Sequence, residues 1–208
     1  MFIITSYYTI DTPYQQVVHD YLMNSLNKLN LKSDIRGIED LGDWQKNTSY
    51  KPIFIKHMLE KYPDLDIVFV DADAEVLVYP KMFDEIPEEY DIAVHILDRD
   101  SWYNRTFSES ENKELLSGTM LIRNSHRARA LVEKWIRACL SRPFEWEQVL
   151  LQRVLTENGT KIYELPLSYC YIKTMPSGEA PYVKCEDAVI VHNQVSRQFK
   201  KATKWDMS

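Results

Sequence analysis

With 208 residues, 45% of them hydrophobic and 27% charged, the chain carries enough apolar material for one large core or two small ones, and it reads as a single domain. A net charge of -6 gives no general attraction to phosphate backbones or anionic lipid, so nucleic acid is not an expected partner; the one basic run, RQFKKATK near the C-terminus, reads as a solvated end. The start, MFIITSYY, lacks the charged region and long apolar stretch of a signal peptide, and no run approaches the ~18 apolar residues of a membrane anchor, which implies a cytoplasmic protein, or one of a host's cytoplasm if the source is viral.

Taken in chain order, FIITSYYT predicts a strand, and Thr12 followed by Pro13 predicts a helix cap and first turn. Val17, Val18, Tyr21, Leu22, Ser25, Leu26 and Leu29 then fall on one stripe of a helix ending near Asn30. A second helix is expected from Lys51 to Tyr62, closed by Pro63, and DIVFV at 66–70 and DIAVHIL at 91–97 read as strands from their Ile and Val content. The segment DRDSWYNRTFSESENK, 98–113, has no period and is expected to be a long loop or lid over a site. TMLIR predicts a strand, RARALVEKWIRACL and EWEQVLLQRVLTEN helices, and KIYEL and AVIVH two late strands. Cys139, Cys170 and Cys185 match neither a disulfide framework nor a zinc spacing and read as reduced; the sequons at Asn47, Asn104 and Asn158 read as chance.

Strands alternating with helices imply an α/β fold with a mostly parallel sheet covered on both faces, and such sheets bind ligands beyond the carboxyl ends of their strands. That is where VFVDADAEVL places Asp71 and Asp73. Two carboxylates one residue apart in a shared apolar site cannot both ionise without a compensating cation, and oxygen ligands suit Mg²⁺ or Mn²⁺ bridging to substrate phosphates. The bare motif also fits a solvated turn closed by short acids.

Other landmarks accompany it. WQKNTSYKPIFIKHML precedes the acids; LLSGTMLIRNS, WEQVLL and VIVHNQVSRQFK follow in that order. Together with VFVDADAEVL they resemble the GT-A glycosyltransferases, the nucleotide-diphospho-sugar transferases, and in particular their glycogenin-like and galactosyl/xylosyl-type retaining members. The resemblance spans nearly the whole chain. It implies a single GT-A (Rossmann-like) domain over 1–208, with a nucleotide-binding half at about 1–97 and a half for acceptor and donor sugar at about 98–208.

The resemblance also implies roles. Asp71, Asp73 and His192 match the metal ligands, the metal being Mn²⁺ or Mg²⁺. Thr5, Tyr7 and Tyr8 lie where base and ribose are bound, although adjacent tyrosines on a strand face opposite sides of the sheet. Asp71 and Ala72 match contacts to the nucleotide, and Gly118 lets the donor sugar approach the backbone. Lys51, Arg197 and Lys200 are cations for the diphosphate leaving group. Glu147 and Gln148 open the helix that touches the sugar. Ser117 stands where an asparagine is common and Glu147 where an aspartate is usual, so the sugar is not read from these positions.

The implied activity is metal-dependent transfer of a sugar from a nucleotide-diphospho-sugar, with UDP as the expected carrier, to a hydroxyl acceptor such as a glycan or glycoprotein. Retention is expected, because the leaving phosphate can take the acceptor's proton; an inverting enzyme would need a base, for which Asp98, Asp100 and Glu147 are candidates. A sugar-nucleotide nucleotidyltransferase is the alternative enzyme, although TIDTPYQQ lacks the glycine-rich loop it usually carries after the first strand. A non-catalytic nucleotide-sugar-binding module is the third reading. Trp102, Tyr103, Phe107 and Trp146 could stack on acceptor sugars or anchor their own segments.

Overall fold

The computed structural model describes residues 1–157 and 159–195. Six strands, β1 (Phe2–Thr9), β2 (Ser33–Ile38), β3 (Asp66–Val70), β5 (Ile92–Asp98), β6 (Lys113–Ile122) and β7 (Ile162–Glu164), form the central sheet in the order β2-β1-β3-β6-β5-β7. A small second sheet, β4-β9-β8, comprises β4 (Ala74–Val76), β8 (Tyr171–Ile172) and β9 (Ile190–His192). β1 is parallel to β2 and β3, and β5 to β7, whereas β6 runs against both β3 and β5. The central sheet is thus mixed and mostly parallel, as expected, with one reversed strand.

β3 shows why the sheet is covered on both faces. Ile67 and Phe69 pack into a core formed with α4 (Lys51–Lys61), α7 (His126–Ser141) and α8 (Glu147–Glu157). Val68 and Val70 point the other way, into a core shared with Val18, Leu22 and Leu26. An apolar side chain at each of these successive positions is what a strand buried on both sides requires. The helix on that second face starts at the expected place: Thr12 accepts a hydrogen bond from the Tyr14 N–H, Pro13 is its first residue, and α1 (Pro13–Val18) runs through a π turn (His19–Met23) into α2 (Asn24–Lys28).

Three departures from the sequence reading bear on the site. The segment 98–113 is a loop only in its second part, 104–112: β5 extends to Asp98, α6 (Arg99–Tyr103) follows at once, and β6 begins at Lys113, well before the expected TMLIR. β2 and α3 (Trp44–Ser49) were not expected, β2 because it is a half-polar edge strand. β6 is also irregular where it matters. Its pairing with β5 jumps from Val94–Met120 to His95–Leu116, so Ser117, Gly118 and Thr119 have no partner on β5, while Thr119 stays paired with Val70 of β3 and the Gly118 carbonyl accepts from the Asp71 N–H. A further short helix, α5 (Met82–Glu85), packs Phe83 under the second core. No helix among the described residues is long and apolar enough to cross a membrane.

Candidate active site

β3 delivers Asp71, Ala72 and Asp73 to the carboxyl end of the sheet, and the small sheet then brings a late segment beside them. β4 pairs with β9 so that Ala74 lies opposite His192, and Asp73 is held by that segment: its carbonyl accepts from the Asn193 backbone and side-chain amides, and its Oδ2 accepts from the Val195 N–H at 2.9 Å. Residues 73 and 192, far apart in sequence, are thereby fixed as neighbours.

His192 is almost wholly buried. Its Nε2 lies 2.8 Å from the Thr119 hydroxyl, while its Nδ1 has no hydrogen-bond partner and faces Asp73, with Oδ1 at 3.9 Å. Burial alone would lower the basicity of this ring, but the neighbouring Cys170 thiol and the Asp73 and Asp71 carboxylates outweigh it and push its pKa up to about 10. A Cβ on Gly118 would stand 2.9 Å from His192 Cε1, closer than side chains tolerate, and a tight 3.1 Å from Asp71 Oδ2, so a larger residue would displace one or both groups. Among the described residues no three acidic, histidine or cysteine side chains stand close enough together to hold a metal ion as they are placed.

A second group of charges adjoins the first. Lys51 opens α4 with only 4% of its surface accessible, and its ammonium is 2.8 Å from Glu147 Oε1, 3.2 Å from Asp71 Oδ1, and 3.0 Å from the Ser117 hydroxyl. Desolvation opposes a charge there, yet the Asp71 and Glu147 carboxylates raise its pKa, so Lys51 stays an ammonium. Ser117 completes the group: its hydroxyl donates to Glu147 Oε1 at 2.8 Å and its backbone N–H to Gln148 Oε1 at 3.0 Å. Gln148 in turn donates to Glu114. Asp71 belongs to both groups and, with 39% of its side chain accessible, reaches the solvent of the cleft. Desolvation raises its pKa, with Lys51 and His192 opposing the rise.

Lys51, Asp71, Asp73, Ser117 and Glu147 line an open cleft of ≈ 1500 Å³ including the solvent at its mouth, whereas His192 and Gly118 are not among its lining residues. Of the residues singled out in the sequence, Tyr7, Tyr8, Lys51, Asp71, Ala72, Asp73, Glu147 and Gln148 line it. Tyr7 and Tyr8 do face opposite sides of the sheet: Tyr7 packs on Phe54 and Phe69, and Tyr8 on the other core. Thr5 does not reach the cleft; it is buried within β1, its hydroxyl donating to the Val68 carbonyl, and Thr9 and Tyr14 line the cleft beyond it. Asp98 also lies off the cleft lining, where it caps α6 and pairs with Lys113. Arg197 and Lys200 fall outside the described residues. The contributions of Thr119, Ser117 as the partner of Lys51, and Cys170 went unread; the Ser-Gly pair was noticed for its backbone, but nothing in the spacing shows that its hydroxyl meets a lysine 66 residues away.

A match to the model of the nucleotide-diphospho-sugar transferase family covers residues 21–206. The chain belongs to that family. The transferase also shares its fold with solved glycosyltransferases. A glycosyltransferase involved in the glycosylation of the major capsid of PBCV-1 superposes with a TM-score of 0.68 at 14% identity, covering 97% of this chain and 98% of that one. Mouse xyloside xylosyltransferase 1 gives 0.60 at 11% identity, covering 94% and 98%. The bifunctional glycosyltransferase WbbM gives 0.62 at 11% identity, with 93% of this chain covering 45% of that one. No curated protein matches it in sequence. The transferase is therefore an enzyme of sugar transfer from a nucleotide-diphospho-sugar, built on the GT-A fold.

Proposed function

We infer that this transferase uses a UDP-sugar and Mn²⁺ or Mg²⁺, and transfers the sugar to a hydroxyl acceptor with retention of anomeric configuration. One observation carries the metal: the buried His192 Nδ1 has no hydrogen-bond partner and points at the Asp71–Asp73 turn. A buried ring nitrogen without a partner costs about 1–3 kcal/mol, and a cation that displaced its proton would remove that cost. Asp71, Asp73 and His192 make an oxygen and imidazole set suited to either cation, left open for a diphosphate to complete. Bound there, the metal would neutralise the charge developing on the departing diphosphate. Because His192 now favours its proton, metal binding would release it.

The chain's own residues then divide the work. Tyr8 and Tyr14 line the cleft where β1 ends and offer rings to a uracil. Lys51, held at Asp71, keeps that carboxylate ionised and oriented, which is a positioning role more than direct contact with phosphate. Glu147 is fixed on the floor by the Ser117 hydroxyl and faces the donor sugar, and Gln148 stands beside it, accepting from the Ser117 N–H. In the transfer, the anomeric C–O bond to the diphosphate breaks with its electron pair leaving on the phosphate oxygen. The acceptor oxygen bonds to the same face of the anomeric carbon, and its proton passes to that phosphate oxygen. Retention is supported by the state of the carboxylates an inverting enzyme would need: Asp98 caps α6, Asp100 accepts from the Phe107 N–H, and Glu147 is bound by Lys51 and Ser117. Both halves of the chain, about 1–97 and 98–208, contribute to the cleft, so we read one catalytic unit.

The test is Asp73→Asn with calorimetry. Wild-type protein should bind UDP in the presence of Mn²⁺ and lose that binding in EDTA, and the variant should melt near the wild type yet bind no UDP. Tighter binding of GDP than UDP, or full donor hydrolysis in EDTA, would refute the donor or the metal respectively.

A further inference from the structure

At the cleft mouth stand two indoles that the donor chemistry does not use. Trp44 and Trp146 meet edge to face, ring centroids 6.1 Å apart and planes at 80°, and both line the cleft. Trp146 is 54% accessible, while its neighbour Glu147 is buried on the floor. The cleft thus passes within one residue from the Lys51–Glu147 charges to an open aromatic surface.

Both carriers are rigid. Asp43 caps α3 by accepting from the Lys46 N–H, and the Tyr7 hydroxyl donates to the Asn47 carbonyl at 2.7 Å, tying α3 to the end of β1. On the other side the Trp135 indole donates to the Glu147 carbonyl at 2.8 Å, fixing the start of α8. What points to a ligand is the pairing: two indoles tied in place side by side on the wall of a cleft form a contiguous aromatic surface of the kind that lines ligand grooves.

We propose that Trp44 and Trp146 form the acceptor subsite, a platform on which the apolar C–H face of a pyranose stacks while Glu114 and Gln148 take its hydroxyls. A sugar ring presents an apolar face and a hydroxylated rim, and this part of the cleft offers an aromatic wall beside an acid and an amide. The acceptor is therefore a carbohydrate and not a protein side chain. The assignment rests on the donor site proposed above, since the acids and Glu147 define the floor from which the mouth is measured.

The experiment is a ¹⁵N-indole NMR titration of the full chain, which has 5 tryptophans, with Trp44→Phe and Trp146→Phe assigning two of the signals. The probes are the methyl glycosides of xylose, glucose, galactose, mannose and N-acetylglucosamine, each added with and without UDP and Mn²⁺. At least one glycoside should move the Trp44 and Trp146 signals and leave Trp135 still. Trp146→Ala should weaken that glycoside about tenfold, Trp146→Phe much less, and UDP affinity should be unchanged in both. Failure of every glycoside to move the two signals overturns the proposal, and so does movement by UDP alone, which would make the platform a nucleobase contact. Glycoside shifts in a protein that binds no UDP would sink the donor reading and leave the platform standing.

Discussion

The Thr119 hydroxyl lies 2.8 Å from His192 Nε2, and that one contact decides where the other ring nitrogen points. Thr119 belongs to the stretch of β6 that β5 leaves unpaired, and His192 is the last residue of β9; the two strands lie in different sheets. If His192 holds the metal, its second nitrogen needs such a partner to fix the ring. Thr119→Val, which keeps the shape and removes the hydroxyl, should weaken Mn²⁺-dependent UDP binding about tenfold or more while costing about 1 kcal/mol of stability. Calorimetry and thermal melts separate the two effects, and equal UDP affinity in the variant would show that the ring needs no such support.

The acid limb of the stability curve should depend on Asp34, remote from the site. Its side chain is 8% accessible, and although desolvation works against its charge, hydrogen bonds from Arg36, Lys61 and Tyr62 lower its pKa from 3.8 to about 2. A carboxylate with a depressed folded pKa stabilises fully above its unfolded pKa and loses that contribution as pH falls through the folded value. Asp34 should therefore contribute about 2 kcal/mol at neutral pH, disappearing between about pH 4 and pH 2. Asp34→Asn should lower the melting temperature at pH 7 and narrow the gap to wild type near pH 2; a constant gap across that range would contradict the assignment.

How far these features could be read in advance depends on what buries them. β3 was legible to the residue because a strand covered on both faces is apolar along its length, β1 because its β-branched and aromatic residues favour a strand, and Thr12–Pro13 marked its helix because a cap is a local device. β2 was missed because SDIRGI, paired on one side only, carries the composition of a loop. In the site, the Asp71–Asp73 turn was visible because its chemistry is compressed into three residues. Lys51 was read as a free cation for phosphate, whereas the fold buries it between Asp71 and Glu147; a contact between residues 51 and 147 leaves no mark in composition or spacing. Sequence shows which residues can do chemistry, and only the packing shows which are already committed.

The segment 98–113 bears on that distinction too. Its polarity suggested a lid, but Trp102 is 2% accessible and packs with Leu97, Leu116, Cys170 and Ile172, while Phe107 lies between the guanidinium groups of Arg99 and Arg105 at 4.1 and 4.3 Å. These aromatics act as anchors. Limited proteolysis within 98–113 should proceed at the same rate with and without UDP and Mn²⁺, and Trp102→Ala should accelerate it and cost about 3 kcal/mol or more. Marked protection by the nucleotide in the wild type would restore the lid.

The last prediction tests whether Lys51 organises the floor. Its ammonium sits between two carboxylates in a place where an uncompensated charge is costly, so Lys51→Met should destabilise the protein by about 3 kcal/mol, the low end for breaking a buried pair because Asp71 keeps access to the cleft's water. The loss should come mainly from Glu147, the more buried partner. Lys51→Met with Glu147→Gln should then be more stable than Lys51→Met alone, since the amide needs no counter-charge and can still accept from Ser117. If the lysine serves chiefly to position Asp71, the double variant should regain stability without regaining whatever donor hydrolysis Glu147→Gln alone retains. Recovery of both would mean that Glu147, and not Asp71, is the group Lys51 is there to control, and purely additive losses would mean that the two charges act independently.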